Sequence, residues 1–383
     1  MHLNMPWPKY GGFSSSKVLH GAIHHIVRIA NRLFNWQLYG RIIARQCINI
    51  VKRVKVIVEE VMKKIDCHVH FVGGGTAQSG TWFKLKTWWD RLQARLMLKG
   101  CGIEPSAMHD DLDRIYTEQL VKLIKASSLD ALVLLAQDIA HADDGTPLPD
   151  QSKFYVPNDV VLELGRRHEE IIPAISIHPG RADAMDELER CIESGARVLK
   201  LLPNVINIDC NDKRHTAFWT RMAEGKVIFL SHTGGEMTLP VMNKAYADPR
   251  ILTLPLECGV TCIAAHCAGG SYPGDKDYTD DLLEMFKEFP NLYGDNSALC
   301  SLNRNKTIKK ILDPEVQERI IHGSDYPVPV SGLGVWIKGF LPWKDWRKWK
   351  GCQNILEQDY QFKKAMGFNE ATFTRLSQLL DIP

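Results

Sequence analysis

From residue 61 onward, short apolar runs alternate with longer amphipathic stretches. Runs near 61–67, 130–137, 171–177, 196–202, 226–231, 261–265, 291–295 and 319–324 are rich in β-branched or small residues and end in glycine, proline or a polar residue. That pattern predicts buried strands closed by turns. Between them, 159–169, 183–193 and 280–289 place apolar residues at helical spacing. Regular alternation of strand and helix implies a parallel sheet, and eight such units can close on themselves. The 323 residues from 61 to 383 suffice for a barrel of ~250 residues with insertions. The expected fold is therefore α/β, a (β/α)8 TIM barrel over 61–383, preceded by a basic amphipathic helical extension over 1–60. An open doubly wound sheet shows the same alternation, but its strand ends converge on one point less readily than those of a closed ring.

Polar residues fall where the apolar runs stop. In Ile65-Asp66-Cys67-His68-Val69-His70, two histidines one residue apart share one face of a strand. The run 226–231 leads into His232-Thr-Gly-Gly, 261–265 into His266-Cys-Ala-Gly-Gly, and 319–324 into Asp325-Tyr-Pro. Each sits at the carboxyl end of its strand, where a barrel of this kind builds its active site. A lone histidine pair in a strand is more often a surface feature; the recurrence downstream is what gives it weight.

With these motifs in hand, the chain resembles the amidohydrolase superfamily, in particular the branch of aminocarboxymuconate-semialdehyde decarboxylase and its hydrolase relatives. The likeness rests on His68-x-His70, Ser231-His232-Thr, Ala265-His266-Cys and Gly323-Ser324-Asp325-Tyr-Pro. It implies a metal-dependent hydrolase or decarboxylase without naming a substrate. His68, His70, His232 and Asp325 offer nitrogen and oxygen ligands to a divalent cation with positions left open. Zinc is the first expectation, with manganese, iron or cobalt as alternatives. The resemblance gives Asp325 the part of general base and His266 that of polarising a carbonyl or protonating a leaving group.

Lys200, near the carboxyl end of the fourth run, is ambiguous. In some amidohydrolases a lysine there is carboxylated and bridges two metals, so either one or two ions remain open. The plainer readings are a lysine binding a substrate carboxylate, or one reaching solvent. His178 and Asp138, after the third and second runs, are candidate substrate-binding residues, although turns that cap helices favour the same residue types. Asp295 and Asp66 are candidate partners for the ligands. His322 reads as a core histidine, and His109, His141, His168 and His215 as surface residues.

Two aromatic insertions start on the expected rim. The first, 71–120, holds Trp82, Phe83, Trp88 and Trp89; the second holds Trp336, Phe340, Trp343, Trp346 and Trp349 among basic residues. They are expected to serve packing or a subunit interface more than direct substrate contact. The Gly73-Gly-Gly75 triplet lacks the lysine and hydroxyl residue of a phosphate loop.

Charge is unevenly spread. Residues 1–64 hold 11 Lys/Arg against 2 Asp/Glu, whereas residues 65–383 carry a net −7. The basic extension, with apolar residues at helical spacing over 17–38 and 41–62, reads first as a flap on its own barrel or a partner subunit, and second as a surface for anionic membrane. No recognised nucleic-acid module accompanies the charge. No stretch suits a transmembrane span or a secretory signal. Ten cysteines without zinc-finger spacing suit a reducing cytoplasm.

The sequence thus leads to a cytoplasmic, homo-oligomeric hydrolase that attacks a C–N or C–O bond of a small, carboxylated molecule. Non-oxidative decarboxylation is the rival reaction. A catalytically silent barrel serving as a binding scaffold is the rival from another class.

Overall fold

The structure, a computed structural model, describes residues 62–75, 79–272 and 274–382. The extension over 1–60 and its expected helices lie outside the described residues. Eight strands form one sheet in chain order: β1 (Ile65–His70), β2 (Ala131–Leu135), β3 (Ile171–Ile175), β4 (Val198–Leu201), β5 (Ile228–Ser231), β6 (Cys262–Ala264), β7 (Leu292–Asp295) and β8 (Ile320–Ile321). Every neighbouring pair from β1 to β8 is parallel. The ring closes where Cys67 N donates to His322 O at 2.9 Å and His70 N to Tyr326 O at 2.8 Å. Sequential order with closure is the (β/α)8 barrel and rules out the doubly wound sheet, whose strand order reverses.

Helices follow the strands. The ones used below are α1 (Trp88–Gly100), α2 (Leu112–Lys125), α3 (Asn158–Arg167), α4 (Ala184–Glu193), α5 (Thr216–Glu224), α6 (Thr279–Glu288), α7 (Trp343–Trp349), α8 (Ile355–Ala365) and α9 (Glu370–Leu379). The expected helices match α3, α4 and α6 to within two residues. Local chemistry sets several starts. Thr87 and Asp90 form a reciprocal capping box at α1, and Asp111 and Asn369 cap α2 and α9.

Two apolar clusters divide the interior. The inner one fills the barrel with Ile65, Val133, Val198, Ile228, Leu230, Ile263 and Ile321, and α9 adds Leu376 and Leu380 to it. The outer one lies between sheet and helices. Along a strand, alternate residues should join alternate clusters. In β1 that alternation slips: Ile65 and Cys67 belong to the inner cluster, yet Val69 packs in the outer one. The cause is a break in the β1–β2 register between Asp66 and Val69. The bulge switches the inward parity, so His68 and His70 face the barrel axis instead of the helices. No helix among the described residues is long and apolar enough to cross a membrane.

Candidate metal centre

At the carboxyl ends of the strands the buried polar residues converge. His68 is fully buried, and its Nδ1 lies 2.9 Å from Asp295 Oδ2. An ionised carboxylate there makes Nδ1 the proton-bearing nitrogen and turns the lone pair of Nε2 towards the axis. Around Nε2 stand His70 Nε2 at 3.2 Å, Asp325 Oδ1 at 3.3 Å and Lys200 Nζ at 3.0 Å; Asp325 Oδ1 is also 3.2 Å from His70 Nε2. Ligand atoms of His68, His266 and Asp325 all fall within 4.8 Å of one another. The His266 ring centroid is 5.1 Å from that of His68 and 5.0 Å from that of His232. His232 Nε2 is buried without a hydrogen-bond partner, with Glu236 Oε2 3.5 Å away. Imidazole lone pairs facing one another beside a carboxylate repel unless a cation or a proton lies between them, so this donor set fits a divalent metal.

Two of these side chains reach the site by departing from regular backbone. His266 follows a strand whose even-numbered residues, Cys262 and Ala264, pack outward. It faces inward because His266, Cys267 and Ala268 all have left-handed φ, at 58°, 47° and 56°. Asp325 has φ 66° and is held by a hydrogen bond from its N to His68 O at 2.9 Å. Non-glycine residues seldom hold this conformation, and strain of this kind gathers at functional sites.

Electrostatics sharpen the arrangement. Burial lowers the His68 pKa to about 4, with Lys200 adding to the effect. Burial and Arg304 hold His232 and His266 well below the usual imidazole value. Burial pushes Asp295 up, but His68, His266 and Ser297 outweigh it and keep the carboxylate ionised. Asp325 is likewise kept ionised, because His68, His70 and Arg304 overcome its burial. Lys200 is wholly buried, which excludes the solvent-reaching reading, and burial lowers its pKa to about 8. Asp295 also accepts from His266 N at 2.6 Å and from the Ser297 hydroxyl, whose oxygen lies 2.8 Å from His266 Nδ1. With the hydroxyl proton given to Asp295, His266 Nδ1 is the donor and Nε2 is left as an acceptor.

Asp66 bonds through Oδ1 to His68 N at 3.0 Å and Ser324 N at 2.9 Å, tying β1 to the turn that carries Asp325. Burial raises its pKa to about 7.

Above the centre lies a cavity of about 220 Å³ with mainly apolar walls. His70, His232, His266 and Asp325 form its polar floor. The first insertion roofs it through Phe83, Met97 and Leu98, whereas none of the tryptophans in either insertion lines it. Trp336, Trp343 and Trp346 instead pack on one another with centroids 5.0–5.1 Å apart.

Asp138 and His178 are brought together but do not line this cavity. Asp138 Oδ2 accepts from His178 N at 2.8 Å and Arg181 Nη1 at 3.1 Å, and the His178 ring packs 4.5 Å from that of His141. Asp138 Oδ1 accepts from Ile139 N at 2.8 Å and His178 Nδ1 from Gly180 N at 3.0 Å, so the acceptors of both residues are spent on building the loops after β2 and β3. The expectation that His141 and His215 are surface residues fails, since both are buried; loop position is a poor guide where loops pack under a rim. His322 is buried against Phe373 and Tyr360, as expected of a core histidine, but neither of its ring nitrogens finds the hydrogen-bond partner a satisfied one would have.

Sequence reasoning missed Arg304 and Glu236. Arg304 lines the cavity from the loop after β7, bonds Gly235 O through Nη2, and keeps a buried Nη1 without a partner. Nothing in Asn303-Arg-Asn-Lys marks it out. Glu236 sits four residues beyond His232, a spacing that could have raised the question.

No curated protein sequence matches the chain. Among solved structures, an uncharacterized TIM-barrel protein from Bordetella bronchiseptica is 17% identical over 78% of this chain and 100% of its own, with a TM-score of 0.50. The 5-carboxyvanillate decarboxylase of Sphingomonas paucimobilis is 11% identical (84% and 100% covered, TM-score 0.48). A probable 2-pyrone-4,6-dicarboxylic acid hydrolase from Acinetobacter baumannii is 12% identical (83% and 96% covered, TM-score 0.46). At such identities the likeness is one of fold alone. The Amidohydrolase family model matches residues 65–335, a span running from the first residue of β1 past β8 and holding every residue of the cluster described above; the chain belongs to the amidohydrolase family.

Proposed function

We propose that this protein is a metal-dependent hydrolase acting on a C–N or C–O bond of a small carboxylated molecule. The observation that carries the reading is the approach of His68 Nε2 and His70 Nε2 to 3.2 Å with one Asp325 oxygen beside both. His68, His70, His232 and Asp325 would hold the metal, and the proximity of His266 to the same point makes it a ligand or a proton relay. A divalent metal there supplies Lewis acidity towards a substrate oxygen and lowers the pKa of bound water. Asp325, ionised in the free protein, takes the proton as water attacks the carbonyl carbon. His266 Nε2 starts as an acceptor, so it delivers a proton to the leaving nitrogen or oxygen only after receiving one. The unpartnered Arg304 Nη1 at the wall suits a substrate carboxylate, and the apolar walls suit a planar or hydrocarbon body.

Non-oxidative decarboxylation fits the same residues. There the bond to the carboxyl carbon breaks, carbon dioxide leaves, and the ring or vinyl carbon takes the proton. A cavity with mainly apolar walls favours this second reading, since desolvation of a carboxylate speeds its loss as carbon dioxide.

The test is metal content, by elemental analysis of protein purified without chelators. About two ions per chain support a bridging, carboxylated Lys200 and the hydrolase. One ion supports the decarboxylase-like site. None after metal addition sinks both.

A further inference from the structure

Four of the ten large hydrophobic residues exposed among the described residues lie on α1: Trp88 at 71%, Trp89 at 52%, Leu96 at 57% and Leu92 at 36%. At 100° per residue these occupy one continuous face of the helix. Arg91 and Arg95, both exposed, run along one flank of that face, and the exposed Lys99 lies within it at the last turn. The opposite face is committed, because Ala94, Met97 and Leu98 line the cavity. Residues 84–100 contain five Lys/Arg and one acid, Asp90, which is paired with Lys153 at 2.8 Å.

The insertion after β8 repeats the composition. Residues 336–350 hold five Lys/Arg and one acid, with Ile337 and Trp343 exposed. β8 and β1 are neighbours in the ring, so both insertions spring from adjacent points of the catalytic rim. They are islands of positive charge in a barrel whose residues 65–383 carry −7.

We infer that α1, aided by the insertion after β8, docks the catalytic rim on an anionic lipid surface. A helix with a Trp/Leu face flanked by arginine, and with lysine at its last turn, matches the requirements of the headgroup–acyl boundary. A second copy of the chain is disfavoured as occupant, since a two-fold interface would set the basic patch against itself. A nucleic acid would match the charge but leave Leu92 and Leu96 in water. The docking is independent of which bond the enzyme breaks.

The test uses the full-length protein with vesicles of phosphatidylcholine, with and without phosphatidylserine, at low and high salt. The expected result is co-sedimentation with the anionic vesicles alone, weakened by salt. Leu92→Ser/Leu96→Ser and Arg91→Glu/Arg95→Glu should each weaken it by at least about tenfold, with metal content and circular dichroism unchanged. Wild-type binding by both variants would assign the membrane contact to residues 1–60 and overturn the proposal. So would failure of the wild type to bind anionic vesicles. A fall in sedimentation coefficient in the leucine variant would reveal a second copy on this face, and tighter binding to RNA than to vesicles would reveal a nucleic-acid site; either result also overturns it.

Discussion

Asp295 shows how much one buried carboxylate can organise. It fixes the His68 tautomer, anchors the backbone of the strained turn at His266 and receives the Ser297 hydroxyl. Replacing it by asparagine keeps the volume and removes the charge. Asp295→Asn should weaken metal binding about 10–100-fold, measured by competition with a chromophoric chelator. Unchanged affinity would show that His68 needs no such partner. His68→Ala should lose the metal altogether in the same assay.

At the scale of elements, α8 is pinned to the turn that carries Asp325. Lys363 Nζ donates to Gly323 O at 2.6 Å and pairs with Asp359, both side chains wholly buried. Burial disfavours both charges; mutual attraction keeps Lys363 above its ordinary pKa. Lys363→Met would strand the Asp359 charge and should cost about 3–5 kcal/mol in urea unfolding at neutral pH. The double variant Lys363→Met/Asp359→Leu should recover most of it. If the single variant is as stable as the wild type, the pair is not what holds α8.

Seven strands were legible to within three residues, because a buried parallel strand writes itself as a largely apolar run; β1 was expected at 61–67 and lies at Ile65–His70, since Asp66, His68 and His70 interrupt its apolar pattern. The residues at their ends were legible too, since a polar residue closing such a run needs a reason. What aims them was not. Strict alternation from Ile65 and Cys67 would have turned His68 and His70 outward, and only the register break reverses this. His266 likewise depends on a left-handed turn that Ala265-His-Cys-Ala does not announce. Arg304 was illegible because its importance arises from the cavity it faces, and loop sequence carries no trace of that. Asp138 and His178 show the converse: they stand at strand ends as expected, but their polar atoms bond within their own loops and away from the cavity.

For the molecule as a whole, buried neutral histidines set the response to acid. His178 has its pKa pushed down to about 3 by burial, with His141 adding to the effect, and burial lowers His215 and His322 as well. In the unfolded chain the same groups titrate near 6.5. Between these values the unfolded state binds more protons at these histidines, so their contribution to stability is complete above pH ~6.5 and is lost as pH falls, while Asp66, raised to about 7 by burial, acts singly in the opposite sense. His178 alone should remove roughly 2 kcal/mol by about pH 5. Urea midpoints across this range should decline, and less steeply in His178→Asn; a flat profile in the wild type would contradict the burial argument.

The left-handed run at 266–268 has a bearing on any attempt to harden this protein against heat. Glycine relieves the Cβ strain of that conformation, so Ala268→Gly should gain about 1 kcal/mol in urea unfolding. Yet the same loosening frees the loop that aims His266, and turnover should drop while the melting temperature climbs; a variant improved in both would show that the strain is idle. Improvement of this barrel by thermal selection alone would thus drift towards a sturdier and slower enzyme.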